Sequence, residues 1–454
     1  MKKLNNFILT CAVLCCSMNA SAGNVVLKTQ KAVGEKITIA TDADISVTLT
    51  WGNGATQTFD SDGMPAEFTI QDEQLTLSTS DEEKITRLYL PENGITELDL
   101  SGVATTLKKL FCPNNALTTL ALSNCKALTD LDVQDNQLET ISFPMNLLSM
   151  ETLNCAGNKL TKLNYTLSAA MKNLIIAGNQ LTGIPYLNSM SALNSVFAQN
   201  NNLTTLELSG TTLKNSKKLK NLILENNQLT ALDLSSLIGL KELWVGNNEL
   251  TTIDLSNMST LVTFTAPNNQ LADITWTTTQ AAKVYAKLAN FDVSNNALNI
   301  YNFPTIDIAA HPINAILTPQ SPFIFTTDDL NIDNAVSVRQ YSFNGWKTTV
   351  TATIKCYNGE GEELVAGQDY TLASRNLTFK TPQATAYIGI SSTRYPGVEI
   401  FSQPFRVIDP SGISLINTDN MAKKEIYTLS GVRVDSKNLS KGIYIINGKK
   451  AIIK

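Results

Sequence analysis

"LKNLILENNQLTALDLSS" (residues 219–236) places Asn227 three positions after the pair formed by Leu222 and Leu224. The frame it defines, LxxLxLxxNxL, returns ten times, starting at Ile85, Leu107, Leu128, Met150, Met171, Leu193, Leu219, Leu240, Leu261 and Leu288. Seven of the nine steps are 21 or 22 residues, and the two longer ones carry "TTLKNSKK" and "TTTQAAKVYAK". The asparagine is present in every copy: Asn93, Asn115, Asn136, Asn158, Asn179, Asn201, Asn227, Asn248, Asn269 and Asn296. A period of this length means a solenoid, in which each turn buries its apolar face only against the next.

Within LxL, alternate side chains point inward, so one short strand per turn joins a continuous parallel sheet. At the bend that follows, the backbone turns inside the stack, where each unpaired peptide group costs ~1–3 kcal/mol. A carboxamide supplies both donors and an acceptor at that point. Aspartate would bring an uncompensated charge and leucine would satisfy nothing. The ten asparagines are therefore expected to be structural.

The motif LxxLxLxxNxL is the hallmark of leucine-rich repeat proteins, and the nested second half, "LTALDLSS" or "LTTIDLSN", resembles the bacterial IRREKO-type subclass over residues 85–303. That resemblance implies an arc with its main sheet on the concave side and short extended or 3₁₀ segments behind. One central residue per strand then faces outward: Tyr89, Phe111, Asp132, Asn154, Ile175, Phe197, Ile223, Trp244, Thr265 and Asp292. Six of these ten are large and apolar, and contiguous apolar surface of this kind marks an interaction site. Gln199, Asn221, Glu225 and Glu242 flank the run from Ile175 to Trp244 and could orient a partner. β propensity on an exposed sheet would also supply bulky residues. The enrichment of aromatics in binding hot spots favours recognition of a protein, with a glycan as the other candidate ligand.

The ends of the chain read differently. Lys2, Lys3, an apolar run from Phe7 to Cys16 and Ala20-Ser21-Ala22 form an export signal over residues 1–22, leaving a chain that starts near Gly23. Residues 23–84 alternate in β fashion and are expected to form an N-terminal β cap over the array of residues 85–305, with Trp51 and Phe59 as core anchors. Runs such as "DYTLASRNLTFK" and "TAYIGIS" give residues 306–410 the spacing of an Ig-like β-sandwich. A repeat array followed by a sandwich is similar to internalin-like surface proteins in its order of domains. Residues 411–454 contain two alternating segments joined by Asn447-Gly448, a hairpin signal. Their order resembles the C-terminal sorting domain of the type IX (Por) secretion pathway, which implies delivery to the outer-membrane surface. A plain structural hairpin is the other reading.

The composition narrows the chemistry. Thirty-five basic against 40 acidic residues leave a net charge of −5, and without Lys2 and Lys3 the count is 33 against 40, or −7. No basic cluster follows a phosphate backbone, so nucleic acid is not an expected partner. No apolar stretch after the signal approaches the ~20 residues of a membrane helix. His311 is the only histidine, which excludes a His-based triad and a multi-histidine zinc site. Asp130, Asp132 and Asp135 lie near one another, but on an open sheet that would leave their pKa values unshifted. Cys112 and Cys155 occupy the same inward position two repeats apart, ~10 Å from each other at strand spacing and out of bridging reach. Asp329, Asn331 and Asp333 match the first ligand positions of a calcium loop, but Asn334 replaces the glycine and Gln340 the glutamate of a full loop, so no cofactor is expected.

The reading is a mainly β, exported, non-enzymatic surface protein: ten leucine-rich repeats between a β cap and an Ig-like sandwich, with a short C-terminal β domain. Its concave face would bind a protein partner in adhesion or recognition. The alternative is an architectural envelope protein, or a glycan-binding module, without a dedicated protein ligand.

Overall fold

The computed structural model describes residues 23–80, 84–145, 147–164, 169–208, 217–275, 287–300, 303, 314–338, 352–393, 395, 397–410 and, in the tail, 413–415, 426–428, 432–434, 442–446 and 449–453. The expected signal at 1–22, His311, Gln340 and the Asn447-Gly448 turn lie outside these residues. The chain forms two compact units, Met1–Ala266 with Lys283–Asn290, and Pro267–Ala282 with Phe291–Lys454.

In the first unit, the cap is a five-stranded antiparallel sheet in the order Thr56–Asp62, Ala43–Trp51, Gln74–Ser78, Val25–Thr29, Ile95–Asp99. Its alternation buries Val47, Leu49, Trp51, Leu75 and Leu77. Trp51 anchors this core as expected. Phe59 does not, being only half-buried against Phe68, with ring centroids 4.7 Å apart. The last strand of the sheet belongs to the first repeat, with Leu27 opposite Leu98, so pairing crosses the boundary expected at residue 84. This closes a terminal core that would otherwise stand open. The edge of the repeat sheet is covered too. Ala40 and Tyr89 exchange backbone bonds of 3.0 and 2.9 Å, and the Asp42 carboxylate accepts from the Thr86 and Arg87 amides at 2.6 and 2.9 Å. No free strand edge is left there as a template for aggregation.

Nine parallel strands follow in this unit, from Arg87–Tyr89 to Thr263–Thr265, one per repeat and in consecutive order. The register matches the frame position by position: Leu174 lies beside Val196, then Leu222, Leu243 and Phe264, all buried. Among the described residues of the array the helical segments are two 3₁₀ turns, Ser101–Val103 and Leu187–Ser189. Behind the sheet, Thr119–Ala121 pairs with Thr140–Ser142 in the second halves of repeats 2 and 3, which gives a short back sheet.

The asparagines close the bends. Asn227 Nδ2 shares its two hydrogens among the carbonyls of Leu224 (3.0 Å), Glu225 (3.3 Å) and, one coil earlier, Ala198 (3.0 Å). Its Oδ1 accepts from the Leu203 amide at 3.0 Å. Asn136, Asn158, Asn179, Asn201 and Asn248 repeat the pattern, each buried. Asn115 accepts from the Asn93 and Ile95 amides, and Asn93 turns the other way, exchanging bonds of 2.8 and 2.7 Å with the backbone of Thr38 in the cap. The ladder thus ties cap to array.

The residue just before each ladder asparagine adds a second, unforeseen regularity. Glu92, Asn114, Asp135, Gly157, Gly178, Asn200, Asn226, Asn247, Asn268 and Asn295 all have φ between 53° and 64°. Left-handed backbone is costly for most L-residues, and Gly, Asn and Asp tolerate it best. Nine of the ten are of those types, with Glu92 the exception. At Gly157 an added Cβ would also come within 2.2 Å of the Asp135 carboxylate.

In the second unit the coil geometry outlasts the asparagines. The Val293 amide donates to Ile316 O at 2.9 Å, and Gln320 takes the ladder role, accepting from Leu298 N at 3.0 Å and donating to Val293 O at 2.7 Å. Residues 314–320 therefore form a coil, a correction to the reading that ended the array at 305 and began a sandwich at 306. Beyond it two sheets face each other, in keeping with the expected sandwich. One runs Leu330–Asn331, Phe405–Ile408, Gln383–Ser391, Thr353–Asn358, with Glu399–Phe401 beside Gln383–Ser391. The other runs Val336–Ser337, Asn376–Phe379, Tyr370–Ala373. Phe379 bridges them, its ring 5.8 Å from that of Phe405. The tail holds the expected hairpin, Gly442–Ile446 against Lys449–Ile453, within a four-stranded sheet that also takes in Ile413–Leu415 and Ile426–Thr428.

Candidate functional site

The parallel register aligns the outward residues into a row. Tyr89 is beside Phe111, then Asp132, Asn154, Ile175, Phe197, Ile223, Trp244 and Thr265. Adjacent strands are ~4.8 Å apart, so neighbouring side chains in the row touch. Ile175, Phe197 and Ile223 are half-buried by one another, and Trp244 stands clear at 37% exposure. The four form one apolar patch on an open face. Tyr89 and Phe111 make a separate pair with ring centroids 6.5 Å apart.

Polar residues divide the two clusters. Asn154 is buried, not open as its place in the row had implied, and donates to Gln134 Oε1 at 2.8 Å. Burial holds the Asp132 carboxyl above the ordinary carboxylate range, partly opposed by hydrogen bonds from Gln134 and Asn154. The expectation that nothing on this sheet shifts a carboxylate is thus corrected: the coils on either side desolvate Asp132. Asp130 is paired with Lys109 at 3.2 Å, and the three aspartates do not converge on a common point as a hydrolytic pair would.

The flanking residues fall where the frame placed them. The Trp244 indole donates to Glu242 Oε2 at 3.3 Å, and Asn221 donates to Ser195 Oγ at 2.9 Å. Burial raises the pKa of Glu225. Two further atoms were invisible in the sequence. Gln199 Oε1 and Thr265 Oγ1 are shielded from solvent and, among the described residues, have no hydrogen-bond partner. Gln199 follows Phe197 by two residues and Thr265 lies in register with Trp244, so the orphaned atoms border the apolar patch. Buried polar atoms left unpaired in a folded protein call for an explanation.

The remaining chemistry-bearing residues are occupied elsewhere. Asp329 faces Arg406 and Asp333 holds Lys380 at 2.7 Å, so two of the three calcium-loop candidates already have cationic partners. Among the described residues, no three His, Cys, Asp or Glu side chains are gathered to hold a metal. Cys112, Cys125, Cys155 and Cys356 are buried free thiols, and burial pushes Cys112, Cys155 and Cys356 up to about 12 and Cys125 to about 11.

Compared with protein-family models and with curated proteins, the chain gives no match. Among solved structures it is similar to bacterial leucine-rich repeat proteins. One is a leucine-rich repeat protein of Leptospira interrogans, at 22% identity over 48% of this chain and 57% of that one, with a TM-score of 0.39. Another is the functional domain of InlJ from Listeria monocytogenes, at 17% identity over 75% and 94% of the two chains, TM-score 0.34. A third is InlP from Listeria monocytogenes, at 15% identity over 72% and 88%, TM-score 0.41. The chain spans 57%, less than two thirds, of the Leptospira protein.

Proposed function

We propose that this chain is an exported surface protein, without catalytic activity of its own, that binds a protein partner through the sheet face of repeats 5 to 8. The observation that carries the reading is the in-register row Ile175, Phe197, Ile223 and Trp244, bordered by the unsatisfied Gln199 Oε1 and Thr265 Oγ1. An apolar centre with polar groups waiting at its margin is how protein interfaces are built. Glu242 and Glu225 set the charge of the rim, so a partner with basic groups at its margin is favoured. Among the described residues no helix is long and apolar enough to cross a membrane.

The Phe197→Ala, Trp244→Ala double variant tests the face. Each residue is expected to behave as a hot spot of ~2 kcal/mol, about 30-fold in affinity, for a partner captured from host surface proteins on the immobilised wild-type chain. Equal affinity in a double variant that melts like wild type would overturn the assignment. Location is tested by Trp244→Cys. The four described native thiols are buried and fully protonated at neutral pH, so a membrane-impermeant maleimide should label this variant alone on intact cells. Labelling only after lysis would refute surface exposure.

A further inference from the structure

Among the described residues no back strand is assigned in repeats 4 to 7, and within that stretch repeat 5 is built from unusual residues. Where other repeats read LTALDLSS or LTTIDLSN, repeat 5 reads "LTGIPYLNSM" (residues 181–190). Gly183 and Pro185 are both poor strand residues, and no strand is assigned there, whereas Thr119–Ala121, Thr140–Ser142 and Thr252–Asp254 are strands at the equivalent place. In the repeat frame Lys162, Gly183 and Thr205 occupy one position on successive coils, so the missing side chain at Gly183 leaves a notch between its neighbours. A Cβ added at Gly183 would meet nothing within 4 Å. The notch opens into a groove of about 490 Å³, within the ~300–1,000 Å³ typical of ligand sites.

The lining is functional in character. Lys162 and Glu207 flank the notch, and among the described residues neither has an ion-pair or hydrogen-bond partner. Thr161 and Thr182 add hydroxyls, and Leu163 and Ile184 form a buried apolar floor. Tyr186 stands at the rim with 52% of its surface exposed and φ of +58°. A bulky residue in left-handed backbone is an outlier, and such strain gathers at ligand clamps. The short 3₁₀ turn Leu187–Ser189 holds it there, through a 3.0 Å bond from the Ser189 amide to Tyr186 O.

We infer that this groove is a second ligand site, and that its ligand is a neutral oligosaccharide. An exposed phenol ring suits the apolar face of a pyranose. An ammonium donor and a carboxylate acceptor on opposite sides of a notch suit the vicinal hydroxyls of such a ring, each of which both donates and accepts. The groove is open along its length, so a free amino acid would remain largely wet in it, whereas a chain of sugars can lie across several coils. It is distinct from the partner-binding face, which lies on the main sheet.

The test is saturation-transfer NMR on the whole chain with maltose, cellobiose, lactose and chitobiose, and with trialanine as a peptide control. Transfer is expected to at least one disaccharide and not to the peptide. Gly183→Leu should abolish it by filling the notch, which has open space and no left-handed requirement, while Phe197→Ala with Trp244→Ala should leave it unchanged. Tyr186→Ala is expected to weaken binding ~10-fold, the scale of one aromatic contact, and provides a second route should Gly183→Leu fail to fold. Absence of transfer to all four sugars at millimolar concentration, transfer to trialanine alone, or transfer that survives both Gly183→Leu and Tyr186→Ala would overturn the assignment.

Discussion

Asn227→Leu is expected to destabilise the first unit by about 4 kcal/mol, measured by urea unfolding followed through the Trp244 fluorescence. The side chain is buried, and its loss orphans the Leu203 amide and takes one donor each from Leu224 O and Ala198 O, which keep Asn248 and Asn201. The orphaned amide costs ~1–3 kcal/mol and each of the two lost hydrogen bonds ~0.5–1.5 kcal/mol more, and leucine offers no compensation. The damage should be more than local. Solenoid stability is a sum over neighbouring coils, so a broken central rung should split one cooperative transition into two. Asn227→Asp separates the hydrogen-bonding role from size, since it is nearly isosteric but, when ionised, lacks both donors. Burial raises the pKa of such a carboxyl in the folded state, so the variant's stability should be greatest at low pH and fall as pH rises through that folded pKa. A variant as stable as wild type at neutral pH would refute the structural role of the ladder.

Phe303→Ala carries the second large effect, in the other unit. Phe303 is 2% exposed and Tyr395 1%, and their rings meet edge to face with centroids 5.5 Å apart. Phe303 follows the tenth repeat and Tyr395 belongs to the sandwich, so this contact packs coil against sandwich within the unit. Truncating a buried phenylalanine typically costs ~3–5 kcal/mol, the upper part of that range applying when the cavity cannot collapse. A double-mutant cycle with Tyr395→Leu should return a coupling of ~0.5–1.5 kcal/mol. Additive losses would mean that the two rings are neighbours without mutual stabilisation, and that the sandwich is tethered to the last coil by other contacts.

The ladder was legible because its chemistry leaves no choice. Only a carboxamide offers two donors and an acceptor in the space of a buried side chain, so its recurrence at one frame position announces the bend. The companion rule one residue earlier was equally present in the sequence, as Asn, Asp or Gly at nine of ten positions, but was obscured because those residues are also common in loops. Gln320 was missed for a related reason. It supplies the same groups on a longer side chain, and the leucine frame around it has decayed to "INAILTPQ". The candidate face was legible as an alternation, since inward leucines force their neighbour outward. The raised pKa of Asp132 was not, because its burial depends on how the neighbouring coils pack around it.

Repetition in the sequence was by itself enough to determine the coil and the strand positions that face inward. These follow from local periodicity and from the obligation to pair every buried peptide group, both of which act within a few residues of chain. Only the tertiary structure decided that the cap shares a sheet with the first repeat, that Phe59 lies off its core, that Gln199 and Thr265 are left with unpaired atoms, and that Gly183 opens a groove. Each of those depends on what residues outside the local repeat frame place against a given atom, and desolvation and hydrogen bonding are set by that neighbourhood and not by the residue's own type.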